Sequence, residues 1–138
     1  MSLSKFIEAQ ENVYDVALSE ILQGRKRSHW MWFIFPQLKG LGRSRMAFEY
    51  GIGSLAEAQD YLNHELLGSR IREISNALLG LNTNNPVSVF GETDQLKLRS
   101  SMTLFCMASE AEDSVFHQVI HKYYGGEMDE STFKLLDD

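Results

Sequence analysis

His29-Trp30-Met31-Trp32-Phe33-Ile34-Phe35 decides between two fold classes. Its aromatic content reads by propensity as a strand. A strand needs a partner, and strand signals are weak everywhere else in the chain. Ser28 stands where it would cap a helix, and Pro36 where it would break or kink one, so the stretch is read as a short apolar helix, His29 to Phe35. The chain is then all-α.

The flanking segments agree. Leu3, Phe6, Ile7, Tyr14, Ala17, Leu18 and Ile21 recur mostly every third or fourth residue. This spacing predicts one amphipathic helix, started by Ser4 and ended at Gln23-Gly24. Beyond Pro36, Gly40-Leu41-Gly42 is a turn, and Ser44 caps a helix to about Tyr50. Gly51 and Gly53 interrupt it. Ser54-Leu55-Ala56-Glu57 is a capping box for a helix to about Asn63. Leu66, Leu67, Ile71, Ile74, Leu78 and Leu79 mark a helix from Glu65 to Leu79, closed by Gly80. Asn85-Pro86 opens one short turn to Phe90, and Thr93 or Asp94 opens the next helix, to about Ser109. Asp113 caps a helix that Gly125-Gly126 stops after Tyr124, and Asp129 caps a last one, Glu130 to Leu136. The result is a single multihelical domain, residues 1–138, of about eight short to medium helices.

Composition fits that reading. Apolar residues at 43% and charged residues at 23% suffice for one core and argue against disorder. No apolar run approaches the roughly 18 residues needed to cross a bilayer, and the amphipathic start is expected to be a helix of the domain and not a signal peptide. The chain has one cysteine, Cys106, which precludes an internal disulfide and a cysteine-based zinc site. Its neighbours Leu104, Phe105 and Met107 mark it as a buried small hydrophobe. A cytoplasmic location is expected.

The net charge of −6 disfavours nucleic acid as a partner, but the charge is unevenly spread. Between Ile21 and Phe48 stand Arg25, Lys26, Arg27, Lys39, Arg43 and Arg45 with no Asp or Glu, so the remainder carries −12. An acid-free basic segment in an acidic protein is expected to face an anion.

Three stretches carry candidate chemistry. In the first, Arg25, Lys26 and Arg27 adjoin His29, Trp30 and Trp32. Residues two apart on a helix point in different directions, so the two indoles cannot share one narrow seam. Either the segment is a central core helix, or an indole walls a cleft for a planar ligand whose charge the cations hold. His29 is the candidate acid/base, because its ordinary pKa lies near neutrality; a structural histidine is the alternative. In the second, Gly40, Gly42, Arg43 and Ser44 lead into a helix start, where free N–H groups suit phosphate. The lysine of a P-loop is missing, and a plain tight turn is the competing reading. In the third, Lys97 and Ser101 lie four residues apart on a helix, spaced as a base and its nucleophile, or as a solvated cation and a packing residue.

The other histidines carry less. His117 and His121 have the spacing of a two-histidine metal pair, but Gln-Val-Ile between them lacks the glutamate of a zinc protease, and no metal is expected. His64 reads as a cap or a surface residue. No cofactor is indicated.

The first stretch, Gly24 to Gln37, followed by Gly40-Leu41-Gly42-Arg43-Ser44, resembles the family known as domain of unknown function 1810. Tyr61-Leu62, Leu67-Gly68-Ser69-Arg70, Phe90-Gly91, Lys97 to Phe105, and Tyr124-Gly125-Gly126 with Asp129 extend the resemblance over nearly the whole chain. It implies a small, mainly helical bacterial protein of a type also known from mycobacteria, and it supplies no activity and no catalytic residues. Two functional expectations stand. One is an enzyme or sensor for a phosphate-bearing small ligand of nucleotide or ADP-ribose type, held by Arg25, Lys26, Arg27 and Arg43. The other is a non-catalytic module whose basic segment binds an acidic protein or a second copy of the chain.

Overall fold

The computed structural model describes residues 3–111 and 114–137. Among them are nine helices and no strand: α1 Ser4–Gln10, α2 Tyr14–Leu22, α3 Met31–Ile34, α4 Arg45–Glu49, α5 Leu55–Asn63, α6 Glu65–Leu79, α7 Pro86–Ala108, α8 Val115–Tyr124 and α9 Glu130–Asp137. The all-α expectation therefore holds. Helix α7 is central: α5 and α8 pack on it, α9 touches it, and α6 packs on α2, α5 and α8. Trp30, Phe35, Tyr61, Phe105 and Phe116 are fully buried in one core; each such ring contributes about 2–3 kcal/mol of burial.

Caps read from local sequence recur in space. Ser44 Oγ accepts from Ala47 N at 3.0 Å and Ser54 Oγ from Glu57 N at 3.1 Å. Asn85 Oδ1 accepts from Val87 N, and Asp129 Oδ2 from Thr132 N, both at 2.9 Å. His64 caps α6 through Nδ1, which accepts from Leu67 N. The return half of the capping box differs: Glu57 Oε1 accepts from Gly53 N, one residue before the cap.

Four boundaries differ from expectation. The first helix is two, parted by a turn at residues 11–13, and Ser4 makes no capping bond. Asn12 is a poor helix former, and Gln10, at the end of α1, turns its amide inward: Nε2 donates to Phe33 O at 2.8 Å and to Tyr61 Oη at 3.0 Å. Ser28 is no cap either. Its hydroxyl donates to Glu20, and α3 starts at Met31 without a side-chain cap. That helix ends at Ile34, because Pro36 excludes helical geometry for Phe35 (φ −122°, ψ 72°). The short turn Pro86–Phe90 and the following helix run on as one element, kinked at Gly91 (φ 83°, ψ 171°), so the second part starts at Glu92 and not at Thr93 or Asp94. Asp113, expected to cap α8, lies outside the described residues; Ser114 Oγ accepts from His117 N there.

Candidate functional site

The basic segment is organised by an acid that precedes it. Glu20, on α2, is buried beneath residues 25–30. Its carboxylate accepts from Arg27 N at 2.7 Å, Ser28 N at 3.0 Å, Ser28 Oγ at 2.5 Å and Trp30 Nε1 at 2.8 Å. Burial raises the pKa of this group, but the bonds from Ser28, Arg27 and Trp30 outweigh it and bring it down to about 2. The loop is thereby pinned by an ionised carboxylate.

Lys26 carries the loop across to α7. Its backbone N–H donates to Val89 O at 2.8 Å. Its Nζ donates to Ser28 O at 2.5 Å, pairs with Asp94 Oδ2 at 2.9 Å and lies 5.0 Å from the Trp30 ring centroid. Lys97 approaches the other oxygen of Asp94 at 3.4 Å. Two of the cations singled out in sequence, from distant segments, thus meet at one carboxylate. Beside them Arg25, Lys26, Val87, Ser88, Val89, Phe90 and Gly91 line a cleft of about 490 Å³. Arg25 is exposed, and its guanidinium makes no hydrogen bond or ion pair among the described residues.

The other candidates are placed differently. Trp30 is fully buried, with one face toward Lys26 and a tilted contact to Phe35, so it offers no stacking surface. Trp32 is half-buried against the core. Arg27, His29 and Arg43 are exposed. Of the residues singled out in sequence only Arg25 and Lys26 line this cleft; Arg27, His29, Trp30, Trp32, Gly40, Gly42, Arg43, Ser44, Lys97 and Ser101 do not. The glycines of the second stretch have local reasons, one conformational and one of packing. Gly40 has φ +105°, and a Cβ on Gly42 would lie 2.5 Å from Ala47 Cβ. Ser101 is buried and its hydroxyl finds no hydrogen-bond partner, while Lys97 turns to Asp94, so the two do not form a couple.

Burial pushes the Cys106 thiol up to about 12, which makes it an inert core residue. Among the described residues no group of three or more His, Cys, Asp or Glu could hold a metal ion, and no helix is long and apolar enough to cross a membrane.

Sequence reasoning missed Asp94, Glu20 and the Val87–Gly91 wall. The spacing of Asp94 and Lys97 was a visible signal for that pair. Nothing local pointed from Asp94 to Lys26.

No curated protein matches the chain. A solved structure, the conserved hypothetical protein Rv1873 from Mycobacterium tuberculosis, is 47% identical and superposes with a TM-score of 0.94 over 98% of this chain and 96% of that one. A family model described as "Protein of unknown function (DUF1810)" matches residues 1–136, essentially the length over which the sequence resemblance runs, and the chain belongs to that family.

Proposed function

We propose that the chain binds a phosphate-bearing small ligand, of nucleotide or ADP-ribose type, in the cleft between residues 25–26 and the first turn of α7. The observation that carries this reading is the unpaired Arg25 guanidinium on a cleft whose opposite wall is the Val87–Gly91 stretch. Arginine presents a planar fork to phosphate oxygens. Lys26 and Lys97 share the single charge of Asp94, so the cluster with Arg25 keeps net positive charge. Gly91 has no side chain and nothing within 4 Å of where a Cβ would stand, which leaves its backbone open to a ligand. It also begins the second part of α7, whose positive end adds to the potential. Val87, exposed in the same wall, offers apolar surface to a base or ribose.

The binding set on this reading is Arg25 and Lys26; Lys97 does not line the cleft and acts only through its share of the Asp94 charge. His29 lines no part of the cleft, so no proton transfer is assigned to it.

The test is a thermal-shift panel of nucleoside mono-, di- and triphosphates and ADP-ribose. The expected result is stabilisation by at least one of them, lost in Arg25→Ala and weakened about tenfold in Lys97→Ala. The absence of any shift at millimolar ligand, or a shift that Arg25→Ala leaves intact, overturns the reading.

A further inference from the structure

At the other end of the basic segment Phe48 stands out. It is 68% exposed, whereas every other phenylalanine is buried or half-buried. Three cations stand near it, and Glu49 is the one acid on α4. Lys39 Nζ lies 4.8 Å from its ring centroid, and Arg45 precedes it by one helical turn on the same side of α4. Arg43 adjoins the Ser44 cap. The side chains of Lys39, Arg43 and Arg45 form no ion pair or hydrogen bond among the described residues.

The surface is held rigidly from below. Lys39 N donates to Ile52 O at 2.7 Å and Ile52 N to Gln37 O at 2.9 Å, closing an isolated parallel bridge between Leu38 and Ile52. A Cβ on Gly51 would meet Lys39 Cα at 2.7 Å, so the backbone of Lys39 is seated directly on that glycine. Ala47 is buried against the Gly42 turn and fixes the opposite side of α4. Lys5 Nζ donates to Glu49 O at 2.7 Å, holding the end of the same helix. The backbone that presents the ring and the three cations is thus held in place before binding, so it loses little freedom on recognition.

We infer that the face formed by Lys39, Arg43, Arg45 and Phe48 docks an acidic segment of a partner protein, with an apolar side chain of that segment set against the Phe48 ring. Charge complementarity selects this occupant. The patch is a small positive island of three cations on a chain whose net charge is −6, so the remainder carries −9. Beyond a screening length of about 8 Å, an extended polyanion such as nucleic acid or an anionic bilayer meets the acidic remainder, whereas a short acidic segment meets only the island. The ring adds apolar area of the kind that anchors protein interfaces.

The test is selection from a random peptide library on the immobilised full chain, followed by fluorescence anisotropy of the enriched peptides. The expected peptides are acidic with at least one apolar residue, bind more weakly as salt rises, and lose about tenfold or more in affinity for Phe48→Ser combined with Arg45→Glu. Lys39→Glu with Arg43→Glu is the second variant, and circular dichroism verifies that both fold. Enrichment of neutral or basic peptides, or acidic peptides that bind both variants as tightly as the parent, overturns the inference. So does tighter binding to phosphatidylserine vesicles or to oligothymidylate than to any peptide, or burial of Phe48 in a dimer of the chain at low salt.

Discussion

Glu20 accepts the indole N–H of Trp30 at 2.8 Å, with both side chains out of water. The same carboxylate takes two backbone N–H groups and the Ser28 hydroxyl. One acid on α2 therefore sets the course of the whole basic loop and seats the indole that forms the floor under Lys26.

That arrangement fixes a pH dependence. The pKa of Glu20 is lowered from 4.5 to about 2 on folding, so the unfolded chain takes up the proton first. Its stabilisation is fully present above about pH 4.5 and is lost as pH falls toward about 2. Glu20→Gln replaces an acceptor with a group that cannot satisfy four donors and is expected to cost about 2 kcal/mol at neutral pH. Urea unfolding of the parent and the variant at pH 7 and pH 3 measures both effects: the difference between the two proteins should shrink at the lower pH. A constant difference would show that the carboxylate charge is not what holds the loop.

Lys122 works as a cap from a neighbouring helix. Its Nζ donates to Leu78 O at 3.2 Å, Leu79 O at 2.9 Å and Leu81 O at 2.5 Å, carbonyls in and just beyond the last turn of α6, the first of which also accepts from Tyr123 Oη. Lys122→Met keeps much of the stem and removes all three bonds. The expected loss is about 2 kcal/mol, read as a lower denaturant midpoint with an unchanged slope. A midpoint within error of the parent would show that water replaces the ammonium without cost.

These cases separate what the sequence reveals from what it hides. Ser44, Ser54, Asn85 and Asp129 were legible as caps because a cap bonds a neighbour two or three residues on. Ser28 has the same chemistry but bonds back to Glu20, a partner that helical periodicity does not reveal. The turn at residues 11–13 was hidden because the apolar spacing continues across it. The candidate site was half legible. Lys26 and Lys97 were singled out separately, but their meeting at Asp94 depends on α7 lying beside the loop. Trp30 was read as either core or cleft wall, and its indole N–H found a buried acceptor, which fixed it in the core.

Ser101 is fully buried in α7, and its hydroxyl has no hydrogen-bond partner. A hydroxyl desolvated without a partner costs stability. Ser101→Ala removes that cost and leaves a helix former in place, so the variant should be as stable as the parent or more stable by about 1 kcal/mol. Thermal unfolding checks this. A clear loss of stability would mean that the hydroxyl makes a bond, for instance to a buried water, that protein atoms alone do not supply.

Gly91 and Gly42 are both glycines for reasons that a substitution can tell apart. At Gly91 the backbone has φ 83°, and nothing lies within 4 Å of a Cβ there. The cost of Gly91→Ala is then conformational, on the order of 1–3 kcal/mol. Gly91→Asn should recover part of that cost, because asparagine tolerates positive φ better than alanine. At Gly42 a Cβ would meet Ala47 Cβ at 2.5 Å and Gln37 Nε2 at 3.3 Å, so Gly42→Ala pushes α4 from its seat. Here the rescue is steric: Ala47→Gly in the Gly42→Ala background should restore stability, apart from about 1 kcal/mol for the helical glycine, whereas it does nothing for Gly91→Ala. Double-mutant cycles on denaturant midpoints measure both pairs. Additivity between positions 42 and 47 would show that the turn and α4 are not in the contact that positions the Phe48 face.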